Sequence, residues 1–350
     1  MATPQTSELP AIVSVDTVAI RTRERTVARR AMFAGSGEPL ALLGAMAVLI
    51  VIFSLLNPRF ATIDNLQNVL NQASLPLIVG LGATLVILIG SIDLSVEGVM
   101  GASGVAFVLL SANSRGGQDM GVWAWILPLA LAGALGATSG MIYTMLRVPS
   151  FIVTLGMWFV GLGVATILYG TDAYPELSNK QVTLWVSTIT FGLPNVTWLA
   201  VFLTIFVIFV MRYTRFGRVA LAVGNNEEIA RSKGMPIISN KIFIVIVAGL
   251  FSGVAGILAT MQMGGTSNHI GDGFLFITIP AVVIGGTSLG GGKGGVARTA
   301  IGVLLLTILN NGLILAGVSP SYQSAVSGAI LVLAIVAAAW PYRGRLRIAK

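Results

Sequence analysis

Ten apolar runs, separated by short polar segments, constrain this 350-residue chain more than any other feature. They are Pro39–Leu56, Ala73–Gly90, Gly98–Ser111, Val122–Leu146, Phe151–Gly170, Val196–Met211, Ile242–Met261, Ile277–Leu289, Thr299–Gly317 and Tyr322–Trp340. A helix needs about 20 apolar residues to cross the hydrocarbon core of a bilayer. Only 10% of the residues are charged, against roughly 25% in a soluble domain whose surface must face water. The chain therefore reads as an all-α polytopic membrane protein with about ten transmembrane helices.

Two runs are short, Gly98–Ser111 and Ile277–Leu289, and both adjoin glycine-rich breaks. Tilted, broken or protein-buried helices are expected there. The two breaks echo one another: Ile89-Gly90-x-x-x-Leu94 corresponds to Ile284-Gly285-x-x-x-Leu289, and each is soon followed by Gly-Val. Broken helices at matching positions in two halves, an internal repeat, account for the echo.

The loops fix an orientation. With the N-terminus inside, 18 of the 21 basic residues fall on the inner side, among them Arg147, Arg212, Arg231, Lys241, Lys293 and Arg298. Arg59, Arg115 and Lys180 fall outside, beside Asp64, Asp119, Asp172, Glu176 and Asp272. This is the positive-inside pattern. Both ends of the chain are basic, so the number of crossings is even. The expected organisation is a cytoplasmic tail over residues 1–38, a membrane domain over 39–342 and a basic cytoplasmic tail over 343–350.

The net charge of +8 is explained by these inner loops, so no nucleic acid is expected as a partner. No cysteine and one histidine, His269, argue against a metal centre or thiolate chemistry. A solvated loop position suits His269, which lies in a polar Gly/Ser/Asn stretch. No cluster or nucleophile–base pairing marks a catalytic site, and no bound cofactor is expected. The segment Gly285–Gly295 is not a phosphate-binding loop. Counting back from Lys293 puts Thr287 where the first glycine belongs, and Gly294 stands where Ser or Thr is required.

The longest inner connection, Arg212–Lys241, carries helix signals of its own. Asn225 with Glu228 three residues later forms a capping-box pattern, and Gly234 can end the helix in the left-handed region, with Pro236 just beyond. A short, capped, polar helix on the inner face suits docking into a partner.

The run Gly224, Asn225, Asn226, Glu227, Glu228, Ile229, Ala230, Arg231, Ser232, Lys233, Gly234 resembles the Glu-Ala-Ala–x–x–x–Gly coupling loop of ABC importer permeases. It departs from that pattern at Ile229, where the family usually has alanine. Ile89–Gly101 (IGSIDLSVEGVMG) is similar to a signature of ribose/xylose-type sugar importer permeases, with Ser91 and Glu97 in place of glycines. Val148–Phe159, Ala281–Val296 and Leu309–Gln323 match in order and spacing. The resemblance implies a non-enzymatic permease subunit in the bacterial inner membrane, paired with a second copy or paralogue. Cytoplasmic ATPase subunits would dock at the coupling loop, and a periplasmic binding protein would deliver a sugar or polyol. A permease for branched-chain amino acids or another small solute, or a secondary transporter, is the alternative.

Within the matching stretches, Asp93, Ser95, Thr154, Gly285, Gly286, Asn310, Asn311 and Gln323 are candidate pathway or helix-break positions. A carboxylate near the bilayer centre costs about 3 kcal/mol or more. The expectation for Asp93 is a cap on a helix starting near Leu94, with Glu97 in the first turn of that helix. Asn310 and Asn311 are expected to form interhelical hydrogen bonds or to contact the solute.

Overall fold

The computed structural model describes residues 40–319 and a few positions between 322 and 332. The two tails, most of the run Tyr322–Trp340 and Gln323 lie outside the described residues. Apart from a two-residue ladder, β1 (Ile189–Thr190) with β2 (Leu193–Pro194), the fold is helical. Among the described residues six helices are long and apolar enough to cross a membrane: α2 (Ile63–Leu88), α4 (Trp123–Met145), α5 (Ser150–Tyr169), α7 (Asn195–Tyr213), α10 (Ile237–Met263) and α12 (Val296–Leu315). Shorter apolar helices are α1 (Leu40–Leu56), α3 (Val96–Leu110) and α11 (Phe274–Ile284). Three polar helices, α6 (Lys180–Ser187), α8 (Arg215–Asn225) and α9 (Glu227–Ser232), and a short 3-10 helix at Pro58–Ala61 complete the described set.

Helix ends differ from the apolar runs where capping overrides hydropathy. The helix α2 begins at Ile63, well before Ala73, because the Thr62 hydroxyl accepts the Asn65 amide at 3.3 Å and fixes its first turn. Polar Asn65, Gln67 and Asn68 then continue the helix.

The apolar stretches of α2 and α10 are 83% and 67% buried, against 28% in α5 and α7. Thus α2 and α10 form the centre of the bundle, and α5 and α7 turn apolar side chains such as Phe159 and Phe202 outward. Close approach of α3 to α5 depends on two glycines. A methyl group at Gly98 would overlap the Trp158 carbonyl, and one at Gly161 would overlap the Gly98 backbone.

Charges separate between the two ends of the bundle. At the basic end Arg147, Arg231 and Lys241 share the wall of one cavity with Gly90. At the acidic end two isolated bridges, Asn113 to Leu177 and Glu176 to Gly265, knit the loops together. There Arg115 donates to the carbonyls of Tyr169 (2.5 Å) and Asp172 (3.0 Å), closing the end of α5.

The connection between α10 and α11 does not stay at the acidic end. From Gly265 it runs inward along α3: the Asn268 carbonyl faces Gly101, and Gly271 packs on the Glu97 backbone. Within this non-helical stretch Thr266, Ile270 and Gly271 are buried against the protein, while His269, Asp272 and Gly273 are exposed. Asp272, expected among the outer acids, belongs to this inward-running stretch, and its side chain is 55% exposed.

Candidate functional site

The polar connection after α7 folds into α8 and α9, set against the basic end. One face of α8, Gly217, Val219, Ala220 and Val223, is buried. The cap of α9 is Asn226, whose Oδ1 accepts the Ile229 amide at 2.9 Å. Asn225 instead closes α8, donating its side-chain amide to the Leu221 carbonyl at 2.8 Å. The expected Asn225–Glu228 capping box is therefore corrected by one residue. Glu227 and Glu228 both occupy the first turn of α9, where the helix dipole favours carboxylates. Gly234 takes the left-handed position (φ 70). Its amide reaches the Arg231 carbonyl, and the Met235 amide reaches that of Ala230, which ends the helix. Ala230 is buried, while Glu228, Arg231 and Gly234 are exposed and Ile229 is 55% exposed.

Glu227 ties this unit to the membrane helices. Its Oε1 accepts from Arg231 at 3.1 Å, and its Oε2 accepts from Lys241, in the first turns of α10, at 2.7 Å. The Lys241 hydrogen bond holds the Glu227 carboxyl below the usual carboxylate range. The Lys241 ammonium also lies 5.6 Å from the centre of the Tyr143 ring. The Tyr143 hydroxyl accepts from Ser91 at 3.3 Å, in the break after α2. A chain of polar contacts thus runs from α9 to that break.

Three backbones meet beside this chain. The Gly292 amide donates to the Leu88 carbonyl at 2.9 Å. A methyl group at Gly224 would overlap that same carbonyl and Gly292, and one at Gly291 would overlap Gly90. The end of α8 therefore touches the break after α2 and the break after α11 at once. The two breaks share a local form. Gly90 and Gly286 both have positive φ (73 and 90). Gly90 and Ser91 bond back to Ile87 and Val86 as Gly286 and Thr287 bond back to Val283 and Val282. The equivalent glycines are Gly90 and Gly286, one residue off the register of the sequence echo. Gly285 sits one place earlier, where a methyl group would overlap the Arg298 carbonyl.

The break after α2 is held by α5. Ser150 Oγ accepts the Ile92 amide at 3.1 Å, and Thr154 Oγ1 donates to the Ile92 carbonyl at 3.2 Å. Both backbone groups of a non-helical residue are thereby satisfied. Asp93, 4% exposed, does not cap a helix at Leu94. Its Oδ1 accepts the Ser95 amide (2.8 Å) and hydroxyl (2.6 Å), an Asx turn that delays α3 until Val96. Glu97, 2% exposed, stands in the first turn of α3 as expected, and its carboxylate serves another helix. Its Oε1 accepts the amides of Gly273 and Leu275, both at 3.0 Å, and so caps α11.

Asn311 forms an interhelical bond, its Oδ1 accepting from Asn65 of α2 at 3.0 Å. Asn310 lies beside it, half-buried on α12. Sequence reading gave no site role to Ser150, Tyr143 or Lys241. Ser150 and Lys241 lie inside the stretches singled out there, but their roles depend on contacts between segments far apart in sequence.

Apolar helices with two interruptions, and a polar helix pair whose first member, α8, meets both at its end, describe a polytopic membrane transport subunit. The family described as branched-chain amino acid transport system / permease component matches residues 65–335, and the chain belongs to it. The chain is 37% identical over 297 residues to the ribose import permease protein of Escherichia coli (strain K12), covering 83% of this chain and 91% of that one. With the ribose import permease protein of Bacillus subtilis (strain 168) it shares 34% over 317 residues, 89% and 96% of the two chains. With the galactose/methyl galactoside import permease protein of Escherichia coli (strain K12) it shares 30% over 309 residues, 83% and 92%.

Proposed function

We propose that this chain is the permease subunit of an ATP-driven importer and forms the translocation pathway for a sugar or related polyol. One observation carries the reading: the end of α8 rests on both helix interruptions and α9 is bonded to α10 beside them, so a push on this unit reaches the two breaks together. The relatives named for ribose and galactose import support a sugar over a branched-chain amino acid. The same relatives, named as import permeases, disfavour a secondary transporter.

In this reading the basic end is cytoplasmic, as the positive-inside rule requires. The membrane domain spans residues 39–342 in this reading, of which the run Tyr322–Trp340 lies mostly outside the described residues. The exposed surface of α9, with Glu228, Ile229 and Arg231, docks into a separate ATPase subunit. A binding protein outside delivers the solute, a second copy or paralogue completes the pathway, and this chain itself holds no cofactor. The test is reconstitution. Proteoliposomes carrying the chain with its co-purified ATPase and binding protein should accumulate labelled ribose, galactose or allose only when ATP is enclosed. Uptake of none of these, or uptake without ATP, contradicts the proposal.

A further inference from the structure

We infer that His269 and Asp272 stand on the wall of a water-filled pathway inside the membrane and hydrogen-bond the hydroxyl groups of a polyol in transit. The inference rests on the proposed function for its solute. The wall assignment itself rests on depth and exposure.

Depth follows from α3. The helix ends at Leu110, beside the loops of the acidic end. Gly101, which faces the Asn268 carbonyl, lies two and a half turns back along it, about 14 Å at 1.5 Å per residue. Glu97, which accepts the Gly273 amide, lies more than three and a half turns back, about 20 Å. His269 and Asp272 sit between these levels. Thr166 of α5, which accepts from Asn268, lies about 5 Å before the end of α5 at Tyr169, so the pair sits between that level and Glu97, inside a hydrocarbon core about 30 Å thick.

The two side chains are nevertheless open, 67% and 55% exposed, with His269 Nδ1 at 2.9 Å from Asp272 Oδ2. An imidazole and a carboxylate facing lipid at that depth carry a large desolvation cost, and groups of this kind face water-filled cavities instead. The polar strip continues sideways: the Asn268 side-chain amide donates to Thr166 of α5 at 3.4 Å, and Thr166 is itself exposed. The pairing leaves Asp272 Oδ1 as an acceptor and His269 Nε2 on the open side of the ring. A fixed acceptor beside a group able to donate or accept suits vicinal hydroxyls of an uncharged polyol. Neighbouring Gly273 and Leu275 amides are already occupied by Glu97, so the helix end does not compete for the pair.

The chain has no cysteine, so single thiols can be placed cleanly in the assembled importer. The variants His269→Cys and Asp272→Cys are compared with Phe202→Cys and Ile205→Cys, on the outward apolar face of α7. A charged methanethiosulfonate reagent should modify the first pair about tenfold faster than the second, because the thiolate forms only where water reaches it. The sugar that the wild type imports, tried from ribose, galactose and allose, should slow modification at His269→Cys. Rates equal to those on α7 overturn the wall assignment, and rapid labelling that no imported sugar slows overturns the hydroxyl contact. Should the wild type import none of the three, the sugar reading fails, and the hydroxyl contact with it, while the labelling rates still decide whether the pair lines water.

Discussion

Lys241 Nζ lies 2.7 Å from Glu227 Oε2 and joins α9 to the first turns of α10 across fourteen positions of sequence. Lys241 is 13% exposed and Glu227 39%, so solvent screens the pair only in part and about 1 kcal/mol is a fair magnitude. Lys241→Met should lower the melting temperature by a few degrees and weaken stimulation of the ATPase. The exchange Glu227→Lys with Lys241→Glu should recover part of both. A double-mutant cycle on melting temperature measures the coupling, and additive single effects would show that the two groups do not interact.

The same pair sets a pH dependence. In the folded chain the Glu227 carboxyl is held below its ordinary value of 4.5, chiefly by Lys241. A depressed folded value contributes stability that is present above about pH 4.5 and lost as pH falls through the folded value. Wild type should therefore be more stable than Glu227→Gln at pH 7, and the gap should shrink as pH falls below about 4.5. A gap that is constant across this range contradicts the assignment.

Asp93 and Glu97 act as acceptors of amides, and neutral isosteres can do the same. Asp93→Asn and Glu97→Gln should insert and fold nearly normally. Asp93→Leu and Glu97→Leu strand buried donors at about 1–3 kcal/mol each and should reduce membrane abundance or melting temperature. Loss of stability in Glu97→Gln equal to that in Glu97→Leu would mean the charge, and not the pair of hydrogen bonds, holds α11.

Gly224 marks the junction of α8 with both breaks. Gly224→Ala places a methyl group on the Leu88 carbonyl and Gly292, whereas Gly44→Ala on α1 meets nothing within 4 Å. The first should separate α8 from the breaks and lower ATP-driven uptake at matched abundance. The second should be neutral or slightly stabilising, since alanine is favoured over glycine in a helix by about 0.5–1 kcal/mol. Equal uptake by the two variants would remove the junction from the coupling route.

Much of this arrangement is legible in the chain because hydropathy and glycine carry it. The apolar runs locate α2, α4, α5, α7 and α10, and the separation of Arg147 from Asp119 locates the ends. Gly234 signals the stop of α9 by the backbone geometry it alone adopts cheaply. What stays hidden is non-local. Asn225 and Asn226 are equally good caps, and only the packing of α8 on Leu88 selects the second. Asp93 has two partners within reach, the start of a helix and Ser95; the clamp that Ser150 and Thr154 place on Ile92 keeps the chain extended and favours the turn. His269 sits in polar sequence, which reads as a surface loop, because nothing local says that the loop descends along α3.

ATP hydrolysis by the reconstituted importer tests most directly whether α8 and α9 couple this permease to its ATPase. Glu228→Arg and Gly234→Trp alter exposed positions of that unit, and the second also forces a bulky side chain into a left-handed backbone (φ 70). Both variants should insert at normal abundance and lose stimulation of hydrolysis by sugar-loaded binding protein. Full stimulation in both, at wild-type abundance, would show that the ATPase docks elsewhere and would contradict the account.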